Sequence, residues 1–318
     1  MLIFWIAAAV LLLLAACLYA GFLYTCKRNP DPDWNSQEAL DKTIYKNFPV
    51  SIPDCAQWLR DHNAQDVQVT SFDGLTLRGK WVPAEKPIAT IILVHGYRSN
   101  YLVDFGGIFH VYHNLGLNLL LIRQRAHGES EGKYITFGVR ERLDVLKWIE
   151  FHNREHGMDN LYLGGMSMGA STVLFAAGEE LPENLRGITA DCGFTSPYDI
   201  IGKVMRQQFR LPPKPILPLI NIFTRKLAGF DLRECTTTET LKRSKVPILF
   251  IHGTGDDYVP YQMSQAGFDA CVSPKQIVLS EGAGHGMSYL KEKKNLTRIL
   301  TAFFTDNLST QFQLEETP

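Results

Sequence analysis

None of the six cysteines belongs to a CxxC pair; Cys17, Cys26, Cys55, Cys192, Cys235 and Cys271 are scattered along 318 residues. That spacing excludes a zinc ribbon and a dense disulfide framework, and free thiols are the simplest reading. Net charge is lacking as well. The 32 Lys+Arg against 33 Asp+Glu leave −1, so there is no electrostatic footprint for nucleic acid. No internal repeat is present, which removes solenoids and propellers. With 45% hydrophobic and 20% charged residues, wholesale disorder and collagen-like repetition are excluded too. The chain is long enough to bury a sizeable core.

The most local absence is charge between Leu2 and Tyr24. A helix of about 23 residues spans roughly 35 Å, enough to cross a hydrocarbon core of about 30 Å with some tilt. Phe4 and Trp5 at one end, and Tyr19, Phe22 and Tyr24 at the other, suit the two interfaces. Residues 1–26 are therefore expected to be a transmembrane signal anchor. A cleaved signal peptide fits less well, because a basic n-region is missing and the apolar stretch exceeds the usual ~7–15 residues. Leu14-Ala15-Ala16-Cys17 resembles a lipobox, yet apolar residues continue after the cysteine. Lys27 and Arg28 lean towards a cytoplasmic C-terminal domain, and so few charges leave the side open.

Residues 27–66 read as a linker with short helices. Asn29-Pro30-Asp31-Pro32-Asp33 cannot continue a helix. Glu38–Phe48 and Asp54–His62 have short amphipathic patterns, expected to pack outside the main domain or near the membrane surface. The main domain is expected over 67–318. There, two strand-like runs, 67–72 and 75–81, flank the hairpin signal Asp73-Gly74. Short apolar runs then alternate with helical ones: 89–94, 117–122, 161–163, 187–190, 247–251 and 276–279. The helical run 140–156 carries Leu143, Leu146 and Ile149. Continuous apolar strands alternating with helices imply an α/β fold, a largely parallel sheet covered on both faces. Ligands of such sheets sit at the carboxyl ends of the strands.

Each chemical motif follows such a strand. Gly165-Met166-Ser167-Met168-Gly169 lies between a strand and a helix, the context a nucleophile elbow needs. Small residues two positions to either side permit the strained turn, and Ser167 projects at the helix N-terminus. There the N–H of Met168 can donate to an oxyanion. A serine needs a base, and His285 in Gly282-Ala283-Gly284-His285-Gly286 is the best candidate. His62, His110, His113, His152 and His156 are expected at the surface. His95, His127 and His252 are expected to be turn residues bonded to backbone. The base needs a carboxylate to orient it; Asp256 is preferred to Asp257 because it lies nearer the strand end, with helix capping the alternative role for Asp257. The second oxyanion donor is assigned to the N–H of Tyr97, and Arg98 is expected in a structural or surface ion pair.

In order along the chain stand His95-Gly96, Arg125-Ala126-His127-Gly128-Glu129-Ser130, Gly165 to Gly169, and His252-Gly253 with Asp256 and Val259-Pro260, all before His285. With these motifs the chain resembles the α/β-hydrolase superfamily from about Val67 to the C-terminus. It is most similar to the bacterial membrane-anchored, serine-aminopeptidase-like hydrolases. The resemblance implies an eight-stranded, mostly parallel sheet with helices on both faces. It also implies a small cap insertion at about 196–245. Many relatives read Asp-x-Arg-x-His-Gly where this chain has Arg123 at the Asp position. The stretch 209–220 is apolar and broken by proline, as a lid over an acyl site would be.

The expected activity is hydrolysis of carboxylic esters with apolar acyl groups through Ser167, His285 and Asp256, with Tyr97 and Met168 as the oxyanion hole. No metal or organic cofactor is required. The partners expected are a small-molecule ester or acyl substrate and the membrane. A peptidase or amidase, an acyltransferase, and a non-catalytic scaffold on the same fold are the competing readings.

Overall fold

The computed structural model describes residues 1–31 and 50–309. The helix expected over 38–48 lies outside the described residues. Among these, eight strands form one sheet: β1 (Gln65–Thr70), β2 (Thr76–Val82), β3 (Ala89–Val94), β4 (Leu117–Ile122), β5 (Leu161–Met166), β6 (Leu185–Asp191), β7 (Ile248–Gly253) and β8 (Lys275–Ser280). Their order is β1-β2-β4-β3-β5-β6-β7-β8. Only β2 pairs antiparallel, with β1 and with β4; the other neighbours are parallel. The Asp73-Gly74 hairpin is formed, with Gly74 at φ +88° where a side chain would be strained.

Strands β3, β4, β5 and β7 are buried along their whole length. Strict alternation then feeds two cores. Ile92, Val94, Leu120 and Leu163 face one layer, with helices Glu141–His156 and Met168–Ala176. Ile91, Leu93, Leu119 and Leu121 face the other, with the segments 101–114 and 293–304. The helix Ile52–Asp61, capped by Ser51, lays Cys55 and Leu59 on that second layer.

Helix Glu141–His156 forms where its spacing placed it, and it corrects one expectation, that for His152. Its buried face is Glu141, Asp144, Val145, Trp148, Ile149, Phe151 and His152, while Leu143 and Leu146 are only half-buried. Polar residues lie on the inner side because each finds a partner. Asp144 pairs with Arg125 at 2.6 Å, and Glu141 accepts the N–H groups of Thr136 and Gly138 at 2.8 and 2.9 Å. His152 is fully buried rather than at the surface, with Nδ1 3.0 Å from Asn153 Oδ1.

Between β6 and β7 the chain makes an excursion. It holds helices Pro197–Gln208 and Pro213–Phe223, a π-turn at Thr224–Ala228 and a short helix at Thr237–Thr240. Ser196 caps the first helix and Pro197 opens it, a start that needs no partner for the missing N–H. The N-terminal helix Leu2–Cys26 is apolar throughout, with mean hydropathy 2.7 over an 18-residue stretch. Up to Cys17 its side chains are exposed, apart from a half-buried Ala8. Its last two turns are docked instead. Phe22 and Cys26 are fully buried among Ile135, Phe137, Leu217 and Ile220. Gly21 leaves room for Ile220, whose Cδ1 would lie 3.3 Å from an added Cβ. Beyond the helix, Arg28 N–H donates to Lys133 O at 3.0 Å and Cys26 O accepts from Ile135 N at 2.7 Å.

Candidate active site

Ser167 stands between β5 and the helix Met168–Ala176 with φ 55° and ψ −116°. Only a closely packed surrounding holds a non-glycine residue there. The packing is glycine on glycine. An added Cβ at Gly165 would overlap the carbonyl of Gly169, and one at Gly169 would overlap the carbonyl of Val94. Although Ser167 occupies the N-cap position, its hydroxyl does not cap the helix. Ser167 Oγ lies 2.9 Å from His285 Nε2, and His285 Nδ1 lies 2.7 Å from Asp256 Oδ2. The three sequence candidates are therefore brought together from the ends of β5, β7 and β8. Asp257 is exposed, and its carbonyl accepts from Lys203 of the excursion between β6 and β7.

Asp256 is held on all sides. Its Oδ1 accepts from Tyr258 N and Val259 N at 2.9 and 2.8 Å. His252 Nε2 lies 3.2 Å from Oδ2 as well as 2.8 Å from Val259 O. Burial pushes this carboxyl up, but hydrogen bonds from His252 and His285 and the histidine charge outweigh it. The group sits well below the ordinary carboxylate range. His252 was expected to bond backbone, which it does. Its contact with Asp256 has no signature in the sequence.

The loop after β3 holds Tyr97, one of the two expected oxyanion donors, and the helix after β5 opens with the other, Met168. Gly96 N–H is spent on Asp104 Oδ2, and Arg98 N–H donates to His127 Nε2 at 3.0 Å. Between them, Tyr97 N–H makes no hydrogen bond among the described residues. Met168 N–H, first in its helix, has no intrahelical acceptor. A Cβ at Gly96 would come 3.2 Å from Ser167 Cβ, so this loop passes directly beside the serine. His95 Nε2 accepts from Gln124 N at 3.1 Å. Burial drives the pKa of His95 well down and that of His127 to about 4, so both rings act as neutral acceptors that fix the loop.

Arg98 differs from expectation. Its guanidinium reaches the carbonyls of Tyr24, at 2.6 Å, and Lys27, at 3.4 Å, at the docked end of the N-terminal helix, and forms no ion pair among the described residues. Tyr97 Oη donates to Thr25 O at 2.8 Å. The sequence could not foresee these bonds, because they join residues more than 70 positions apart.

Two further groups lie close. Cys192 Sγ is 3.9 Å from His285 Nε2, and burial pushes the thiol well up. Cys192, Asp256 and His285 place donor atoms within 4.8 Å of one another. A protonated thiol is a poor metal ligand, and His285 and Asp256 are already bonded to each other, so this donor set fits a metal badly. Asp191 is buried with no hydrogen-bond partner at Oδ1. Burial raises its pKa to about 7, against the opposing pull of His252 and His285. Below about pH 4 it is neutral folded or unfolded. Above that the unfolded chain ionises first, so stability falls as pH rises to about 7. Asp191→Asn is expected to raise the melting temperature by several degrees at pH 8. The gain should vanish by pH 4 in thermal unfolding curves, and equal gains at both pH values would refute the assignment.

The fold and this strand-end site define the class: an α/β-hydrolase. The profile of the prolyl oligopeptidase family matches residues 133–311, more than half of the chain. The chain belongs to that family and is a hydrolase. It is 29% identical over 242 residues to the uncharacterized protein YqkD of Bacillus subtilis (strain 168), covering 76% of this chain and 79% of that one. Among solved structures it is similar to the esterase Pf2001 of Pyrococcus furiosus, with a TM-score of 0.65 and 21% identity. That match covers 78% of this chain and 93% of the other. The acylaminoacyl peptidase of Pyrococcus horikoshii aligns with a TM-score of 0.57 and 17% identity, over 77% of this chain and 41% of its own.

Proposed function

We propose that the protein is a membrane-anchored serine hydrolase that cleaves carboxylic esters of apolar acyl groups. The observation that carries the reading is the unbroken chain Asp256–His285–Ser167 at the strained turn. In the proposed mechanism Ser167 Oγ attacks the ester carbonyl and passes its proton to His285 Nε2. Asp256 holds the imidazole in that tautomer and stabilises its cation. Tyr97 and Met168 N–H groups receive the oxyanion. The alcohol leaves with the proton from His285, and water then resolves the acyl-enzyme with His285 as base.

The apolar preference rests on the surroundings of the serine turn. Met168 belongs to a buried apolar cluster with Phe137, Phe194, Met205, Leu217 and Val259, against which Tyr97 and Tyr258 pack. Asp104, Asp191 and Asp256 are buried, while Asp257 is the exposed carboxylate beside the site. The anchor reading rests on the apolar helix Leu2–Cys26, exposed up to Cys17 apart from Ala8.

The test uses the full chain in lipid nanodiscs. Treatment with a fluorophosphonate is expected to leave its adduct on the peptide containing Ser167. p-Nitrophenyl esters of two to twelve carbons are expected to outpace aminoacyl p-nitroanilides at least 100-fold in kcat/KM. Faster cleavage of the anilides would replace the esterase reading with a peptidase, and absence of the adduct would remove the serine mechanism.

A further inference from the structure

Resting on the anchor reading, we propose that the cap is itself a membrane-binding face. In this arrangement helix Pro213–Phe223 and its flanks lie on an anionic bilayer beside the anchor and bring the hydrolase site to the lipid surface.

The first argument is continuity. The exposed apolar part of the anchor helix runs without a break into the turns that dock on the cap. Tyr19 meets Phe223 with ring centroids 5.7 Å apart, and Tyr24 meets Phe209 at 5.6 Å. The cap is thus fastened to the end of the anchor that meets the bilayer surface.

The second argument is the cap's outer face. Leu217 and Ile220 turn inward, yet Leu219 and Ile222 on the same helix are exposed, as are Phe209, Leu211 and Leu227. A helix apolar on both faces is at home where one face meets lipid.

The third argument is charge. Between Asp199 and Asp231 there is no acidic residue, but there are Lys203, Arg206, Arg210, Lys214, Arg225 and Lys226. In a chain of net charge −1 this stretch stands apart. Lys203 turns inward to the carbonyls of Asp257 and Tyr258, and the other five are exposed. Basic residues interleaved with exposed apolar ones, continuous with an anchor, match the anionic headgroup layer.

The experiment places one probe at a time on the full chain. In a Cys17→Ser background the remaining cysteines are buried. Leu11→Cys, Leu219→Cys, Ile222→Cys and Val272→Cys are labelled with an environment-sensitive fluorophore. Each is reconstituted in nanodiscs of phosphatidylcholine and phosphatidylglycerol, with or without lipid spin-labelled near the top of the acyl chain. Probes at 219 and 222 are expected to be quenched at least threefold more than at 272, and less so in phosphatidylcholine alone. Quenching at 11 but not at 219 or 222 overturns this inference and leaves the anchor reading standing. No quenching at 11 overturns the anchor reading and the inference with it. Equal quenching of 219 and 222 in both lipids overturns the charge contribution. Turnover of a short, water-soluble ester by the same samples reports the catalytic reading separately.

Discussion

Ser167→Ala is expected to lower kcat by about a millionfold, close to 8 kcal/mol of transition-state stabilisation. His285→Ala is expected to match it, and the double variant to fall no further. Nucleophile and base act as one device: a hydroxyl without an acceptor at Nε2 is no better than no hydroxyl. A residual rate of about 10³–10⁴ over water is expected to survive in all three variants, carried by substrate binding and by the N–H groups of Tyr97 and Met168. Initial rates on a short-chain ester, normalised to folded protein, decide the matter. A Ser167→Ala variant within 100-fold of the parent would mean that another group attacks the substrate.

Gly169→Ala is expected to abolish folding, or to destabilise by more than about 4 kcal/mol, the range reserved for substitutions that displace backbone. The added methyl would overlap Val94 O and crowd His95 O at 2.6 Å. Neither can yield, because β3 is central in the sheet and fully buried. Gly284→Ala is the matched control for stability, since nothing lies within 4 Å of an added Cβ there. Denaturant midpoints of the two variants are expected to separate widely. A Gly169→Ala protein as stable as the parent would mean that the elbow packs differently.

Much of this was legible in the sequence because it is local or periodic. The strands at 89–94 and 117–122 were read to the residue, since buried parallel strands are unbroken apolar runs. Ser167, Asp256 and His285 were legible because each occupies a loop after such a run, in a motif a few residues long. What was illegible depends on contacts across the chain. The pattern Leu143, Leu146, Ile149 marked a helix but not its whole inner face, because Asp144 is buried by its pairing with Arg125 and Glu141 by the turn just before the helix. His152 lies on that same buried face. Arg98 could not be matched to backbone carbonyls of a helix that composition alone treats as belonging to the bilayer. Hydropathy reports the solvent a segment prefers; it does not report that the last two turns of that segment prefer protein.

The carbonyl of Thr25 receives Tyr97 Oη, and those of Tyr24 and Lys27 receive Arg98, so the end of the N-terminal helix holds the side chain of a proposed oxyanion donor and that of its neighbour. A chain cut after residue 28 would keep every residue of the serine, histidine and aspartate set, yet lose the brace on the loop after β3. On the proposed reading, attachment and competence share one turn of helix: trimming that helix to solubilise the protein is expected to alter the activity being measured, and shedding the domain from a surface would turn it down as well.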